Sequence, residues 1–309
     1  MMTNDNNGSF SSSSSSPYQS RIITSSKEKK SPIVLALDFY LENFNNNNKI
    51  LFKKCKEIIS DTGSQICAIK MNFHLLLSLS NIQTLELNYL AHKLNLQVIA
   101  DIKLNDIGNT NIITVNRLQK LGFDAVIVNP FIGITEMKTL VSYAHSINFG
   151  IISLVYMSHP TSFEGYGLNV VVPSSSSSFY STMGTSNNNI EKMKLTSNNN
   201  YNKRDDNDII AMYQLLYNYA SSSGSDGIII GATKFDIIKE ISSKLKDNRI
   251  SIYSPGLITQ GGSIDNAIKA RTDYFILGRH IINYISPSET LTSIIQQIRK
   301  YKKFQYTEK

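Results

Sequence analysis

A chain of 309 residues suits one large domain with a substantial core, and an α/β barrel of about 250 residues fits within it. Its formal charge of +7 does not mark a nucleic-acid binder, because residues 1–31 carry a net +2, residues 299–309 a net +4, and everything between only +1. Two cysteines, Cys55 and Cys67, are too few for a disulfide framework or a metal site, no apolar run approaches the roughly 18 residues of a membrane span, and the N-terminus lacks the apolar core of a secretory signal, so a cytoplasmic protein with no membrane or nucleic-acid partner is expected.

Residues 1–30 contain a serine run, Ser11–Ser16, and read as a disordered tail rather than a transit peptide. Strand and helix signals then alternate. The strand candidates are Ile33–Asp38, Ile66–Lys70, Gln97–Lys103, Ala125–Asn129, Gly150–Tyr156, Gly227–Gly231, Ile250–Ser254 and Tyr274–Leu277. Most are short apolar runs without alternation, as expected for parallel strands covered on both faces. Between the fifth and sixth lies a polar stretch over 173–208, with five serines from Ser174 and two asparagine triplets. It is too polar to bury a core and reads as a disordered surface insert. Helical periodicity marks Phe235–Leu245, where Ile237, Ile238, Ile241 and Leu245 share a face, and the last helix, where Leu291, Ile294, Ile295 and Ile298 do. The last helix opens on Ser286-Pro287-Ser288-Glu289, a capping box with proline at the first helical position. Eight βα units predict a single (β/α)8 TIM barrel over 31–304, interrupted at 173–208 and followed by a short tail at 305–309.

In such a barrel the chemistry sits at the C-terminal ends of the strands. Those ends carry Asp38, Lys70, Asp101, Lys103 and Asp106, Asn129, Ser158, Gly231, the loop Pro255–Gly262, and Gly278-Arg279. Asp101 and Lys103 are two apart, so on a continuing strand they face the same way. With Asp38, Lys70 and Asp106 they can form an alternating chain of carboxylates and ammoniums in which every neighbour has the opposite sign. The glycines of Pro255–Gly262 and the guanidinium of Arg279, on the loops after strands seven and eight, suit a phosphorylated ligand. After strand five, Ser158 can hydrogen-bond a heterocycle, and Gly165 and Gly167 suggest a mobile lid over Thr161–Gly167. His159 is either a general acid or a structural histidine before Pro160. No Ser-His-Asp arrangement and no His/Cys metal-ligand spacing is present.

These residues resemble the orotidine 5′-phosphate decarboxylase family. Leu35-Ala36-Leu37-Asp38, Ile69-Lys70, Asp101-Ile102-Lys103-Leu104-Asn105-Asp106-Ile107, Met157-Ser158-His159-Pro160, Pro255-Gly256 with Gln260-Gly261-Gly262, and Gly278-Arg279 occur in the family's order across about 31–285, in forms similar to its archaeal-type branch. The resemblance implies conversion of orotidine 5′-phosphate to UMP and CO2, the last step of de novo pyrimidine nucleotide synthesis, with no cofactor and no metal. Lys103 would protonate C6 of the pyrimidine, and Asp101 would sit beside the departing carboxylate. Lys70 and Asp38 would contact the ribose hydroxyls. Ser158 would bind the pyrimidine amide edge, and Gln260, Arg279 and the Gly278 N–H, framed by Pro255 and Gly261, would hold the phosphate. Asp106 and Thr110 would reach into a neighbouring subunit, which implies a homodimer. Two positions depart from the pattern: Ile258 stands where glycine is common, stiffening loop closure, and Gly108 replaces a frequent proline.

Two other functions compete. Sibling keto-sugar-phosphate decarboxylases and aldolases of the same barrel group share the Asp-x-Lys-x-x-Asp signature and use Mg2+, but typically carry a metal-binding glutamate where Lys70 stands; a lysine there repels a divalent cation. A non-catalytic phosphate-binding barrel would have lost one of Asp101, Lys103 or Asp106, and all three are intact.

Overall fold

The computed structural model describes residues 16–173, 207–245 and 250–307. Among these described residues ten strands occur in chain order: β1 Ile33–Ala36, β2 Ala68–Asn72, β3 Gln97–Leu104, β4 Ala125–Val128, β5 Gly150–Tyr156, β6 Asn169–Pro173, β7 Asn207–Ala211, β8 Gly227–Ile230, β9 Ser251–Ser254 and β10 Tyr274–Leu277. Eight of them, β1–β5 and β8–β10, close into a parallel barrel, as the eight apolar runs predict. Helices return the chain along the outside between successive barrel strands, which is the (β/α)8 architecture.

The missing alternation in the strands has a direct cause. In β1, Val34 and Ala36 pack inside the barrel with Ala68, Ile99, Ile127, Ile152, Leu154, Ile229 and Ile276. Ile33 and Leu35 pack outward, in the shell shared with the helices. Both faces are dry, so both are apolar. The same inward register, continued one step past the apolar layer, carries Asp38 after Val34 and Ala36, Lys70 and Asn72 after Ala68, and Asp101 after Ile99. Ala36 pairs with Lys70, and Asn72 with Asp101, across the parallel ladders.

Three features differ from the sequence reading. Within the stretch read as a tail, Pro17–Lys29 is an α-helix. Ser16 caps it and forms a capping box with Gln19, with Pro17 in the first turn. The helix closes the end of the barrel opposite the strand C-termini. Tyr18 and Ile22 are buried in the barrel interior cluster, and Gly150 lies so close to the Tyr18 ring that a Cβ there would meet it at 2.4 Å. Gln19 donates to the Asp226 carbonyl at 2.9 Å, and Ser25 Oγ donates to the Cys67 and Asn95 carbonyls at 2.8 and 2.7 Å. The composition is serine-rich, but Tyr18 and Ile22, one turn apart, supply a narrow apolar stripe that a closed barrel end can bury. Second, β6 and β7 pair antiparallel as a two-stranded ribbon at the base of the 173–208 insert, whose middle, 174–206, lies outside the described residues, as do 1–15 and 308–309. Third, the last helix, Pro287–Thr307, runs past the expected boundary at 304. The expected lid segment is a short 3-10 turn, Pro160–Ser162, followed by a helical turn, Phe163–Tyr166. Both cysteines are buried thiols, and no helix among the described residues is long and apolar enough to cross a membrane.

Candidate active site

At the strand C-termini, Asp101 accepts from two ammoniums at once. Lys70 Nζ lies 2.6 Å from Oδ2 and Lys103 Nζ 2.8 Å from Oδ1. The Lys70 and Asp101 side chains are only 6% and 11% exposed, whereas Lys103 is 43% exposed, so the open end of the array is an ammonium facing the cavity. Burial alone would push the Asp101 carboxyl up, but the Lys70 and Lys103 charges and their hydrogen bonds outweigh it and hold it at about 2. Burial likewise opposes the Lys70 ammonium, yet Asp101 and then Asp38 more than compensate and raise its pKa. On the far side, Lys70 also donates to Asn72 Oδ1, and Asn72 Nδ2 donates to Asp38 Oδ1. The chain of groups is therefore Lys103–Asp101–Lys70–Asn72–Asp38. Sequence reasoning missed Asn72, although alternation along β2 from Ala68 through Lys70 points to it.

Lys103 does not reach Asp101 by simple strand alternation. The β3–β4 register slips between Ala100 and Leu104, and Lys103 adopts a left-handed backbone with φ 48°. Leu104 then pairs with Val128, so β3 carries extra residues between two paired ends. Such a bulge re-aims a side chain, and here it turns Lys103 back over the carboxylate two residues earlier. Just beyond, Asp106 leaves the array. Its carboxylate accepts from the Ile107 N–H at 2.7 Å, and Asn111 clamps its backbone through Nδ2 to the Asp106 carbonyl at 2.6 Å. Neither Asp106 nor Thr110 lines the cavity formed by this chain. Gly108 sits against Glu136, whose carboxylate would be 2.2 Å from an added Cβ, so a larger residue there requires the Glu136 side chain to shift.

The cavity measures about 290 Å3. Its floor is the apolar top of the barrel, Ala36, Ile127, Leu154, Ile229 and Ile276. One wall is the charged array from Asp38 to Lys103; the other joins Ser158, Pro255, Thr259, Gln260, Gly278 and Arg279. An apolar floor with a few convergent polar groups is the usual form of a small-ligand site. Ser158 is let in by two glycines: a Cβ on Gly231 or Gly256 would meet Ser158 atoms at 2.5 and 2.7 Å. Gly278 does the same for Asp38, whose Oδ2 would lie 2.4 Å from a Cβ there. The 255–262 loop is a tight reversal in which the Ile258 N–H donates to the Gly262 carbonyl at 2.8 Å and the Gly262 N–H to the Gly256 carbonyl at 3.0 Å. Gly256 and Gly261 both have φ 86°, and Ile258 has φ 62°. Gly261 shapes this turn but does not line the cavity. His159 lines it, and Thr259, not singled out from the sequence, lines it too. Among the described residues no three His, Cys, Asp or Glu side chains converge as a metal-ligand set.

Fold and site together define a (β/α)8 barrel with a lysine–carboxylate array at its mouth and a glycine-rich loop and an arginine across from it. The family model described as "Orotidine 5'-phosphate decarboxylase / HUMPS family" matches residues 31–171. A curated orotidine 5′-phosphate decarboxylase from Pyrococcus abyssi is 27% identical over 267 residues, covering 86% of this chain and 99% of that protein. One from Methanosarcina mazei is 29% identical over 202 residues, 65% of this chain and 72% of that protein. The crystal structure of orotidine 5′-phosphate decarboxylase from Pyrococcus horikoshii superposes with a TM-score of 0.58 at 27% identity, covering 86% of this chain and 99% of that one. Over residues 31–171 the chain is similar to the orotidine 5′-phosphate decarboxylase / HUMPS family, and the curated relatives extend that similarity over most of its length.

Proposed function

We propose that this chain decarboxylates orotidine 5′-phosphate to UMP and CO2, without a metal or organic cofactor, as the closing step of pyrimidine nucleotide synthesis. The observation that carries the reading is the Asp101 carboxylate held between Lys70 and Lys103, with Lys103 open to the cavity. In the reaction the C6–carboxylate bond breaks, CO2 leaves, and the electron pair stays on C6. The Lys103 ammonium stabilises that developing charge and passes a proton to C6. Asp101 would sit beside the departing carboxylate, and its charge disfavours that group more than the product-like carbanion.

The other groups take the roles that their places in the cavity support. Asp38 and Lys70 hold the ribose hydroxyls and Ser158 the pyrimidine amide edge. Gln260, on a loop shaped by Pro255 and Gly261, holds the phosphate together with Arg279 and the Gly278 N–H after β10. Phosphate binding far from the reacting bond aligns the ring over Lys103. Asp106 and Thr110 complete the site of a second copy in a homodimer. The exposure of Asp106, and that of Ile107 and Ile113 nearby at 73% and 60%, supports this arrangement, with Thr110 half-buried beside them. The enzyme works in the cytoplasm, and its partners are orotidine 5′-phosphate, UMP and its own second subunit.

The test is incubation of the purified chain with orotidine 5′-phosphate and excess EDTA, following loss of the orotate chromophore. Stoichiometric conversion to UMP is expected. Turnover only of a keto-sugar phosphate, and only with Mg2+, would overturn the reading. In the same assay Lys103→Ala should abolish turnover while UMP still binds, and Arg279→Ala should raise KM more than it lowers kcat; near-full activity of the first or an unchanged KM of the second contradicts the role assigned.

A further inference from the structure

Asn72 stands at the N-cap position of the helix Phe73–Ser78, with an extended backbone of φ −75° and ψ 158°. Asparagine is among the best N-cap residues because its side-chain oxygen can accept an N–H of the first turn. Here it makes no cap bond. Its amide is turned into the cavity wall, where Oδ1 accepts from Lys70 and Nδ2 donates to Asp38. The orientation follows from the partners: an ammonium can only donate and a carboxylate can only accept, so oxygen faces Lys70 and nitrogen faces Asp38.

This placement separates two groups that would otherwise meet. Lys70 is attracted by both Asp101 and Asp38. A lysine side chain is flexible and its ammonium is a point charge, so nothing in Lys70 itself chooses between them. With the Asn72 carbonyl accepting one of its protons and the Asn72 amide occupying Asp38, Lys70 is left on Asp101 Oδ2 at 2.6 Å. Asp101 in turn presents Oδ1 to Lys103 at 2.8 Å. We infer that Asn72 is a positioning residue: an uncharged spacer that assigns Lys70 to Asp101, keeps Asp38 separate, and thereby fixes the direction in which Lys103 points. The inference rests on the decarboxylase reading for its kinetic consequence, but not for its structural one.

The experiment uses full-length Asn72→Ala, Asn72→Ser and Asn72→Asp with two readouts. The first needs no substrate: the side-chain ammonium resonances of Lys70 and Lys103 in 15N-labelled protein, with Lys70→Met for assignment. In Asn72→Ala both signals should move, Lys70 because its partner set changes and Lys103 because Asp101 is released to turn. The second readout is turnover of orotidine 5′-phosphate. Asn72→Ala should lower kcat by about 10- to 100-fold with KM changed by less than about threefold, the pattern of a misaimed group rather than a lost ligand contact. Asn72→Ser, which can keep one of the two bonds, should fall between. Asn72→Asp places a second carboxylate against Asp38, so one of the pair should hold a proton and the acid limb of kcat/KM should move to higher pH. Unmoved ammonium resonances in folded Asn72→Ala and Asn72→Ser overturn the inference. So does a pH profile in Asn72→Asp that superimposes on the wild-type curve. Moved resonances in a protein whose wild type does not turn over orotidine 5′-phosphate would uphold the spacer and reject the decarboxylase reading.

Discussion

Asp101 balances two ammoniums on one buried carboxylate, and this makes it the residue on which both chemistry and local stability depend. Replacing it with asparagine leaves Lys70 buried without its counter-ion and facing the like charge of Lys103. Breaking a buried pair from one side typically costs about 3–5 kcal/mol, so Asp101→Asn should lower the urea-unfolding free energy near pH 6 by about 3 kcal/mol or more. The pH dependence has a definite sign. The folded carboxyl is held at about 2, below its ordinary 3.8. Its contribution is therefore present above pH 4 and is lost as pH falls toward 2. The stability gap between wild type and Asp101→Asn should narrow over that acid range; a gap undiminished at pH 2.5 would show that the ion pairs are not its source. Most of the site was legible at this scale because charged residues ending apolar strands stand out. Asn72 was passed over, since an uncharged residue before a helix reads as a cap, although it continues the inward alternation of Ala68 and Lys70 in β2.

The elements of the barrel were legible because two dry faces leave an unbroken apolar run, as Ile33–Ala36 and Ala125–Val128 illustrate. What the runs do not encode is irregularity. The slip in β3 that turns Lys103 is made by residues that look like an ordinary strand end. The ribbon of β6 and β7 stayed hidden because its two halves are separated by a long polar stretch that gives no turn signal. Ile258 is the reverse case, where its departure from the expected glycine could be read directly and φ 62° shows why a glycine would suit. An L-residue in the left-handed region costs about 1–2 kcal/mol, and a β-branched one is the least suited to it. Alanine keeps that strain while losing the isoleucine's contacts, whereas glycine relieves it at an entropic cost of about 0.5–1 kcal/mol. Ile258→Gly should therefore be at least as stable as Ile258→Ala in urea unfolding, the opposite of the order found in helices and strands. An alanine variant more stable than the glycine variant would mean that the loop relaxes out of this conformation.

At the scale of the whole molecule the helix Pro17–Lys29 holds the barrel end shut, and two histidine–carboxylate pairs lie around it. His145 Nε2 is 3.1 Å from Asp226, which also accepts from Ser16 at the helix start, and His92 Nε2 is 2.9 Å from Asp124, which pairs with Arg21 at 3.6 Å. The hydrogen bond to its carboxylate raises the pKa of each histidine. Protonation is thus favoured in the folded state, so the stabilisation is full below pH 6.5 and is lost as pH rises through the raised values. The melting temperature should fall from pH 6 to pH 9, and a His92→Gln/His145→Gln double variant should show a flatter curve; an equally steep curve would place the dependence elsewhere. The helix itself could have been found in the sequence, since Ser16-Pro17-Tyr18-Gln19 uses the same start signal as Ser286-Pro287-Ser288-Glu289. The serine run in front of it masked the signal.

That helix is the first described element to leave the ribosome, yet its seat is assembled from strands made much later. Ser16 bonds Asp226, 210 residues away, and the Tyr18 hydroxyl lies 3.4 Å from that of Tyr253, 235 residues away. Closing so long a loop must precede any gain from these contacts. During synthesis the seat of this segment stays incomplete until β8 and β9 have emerged, so the apolar end of the barrel cannot be fully covered before those strands are made.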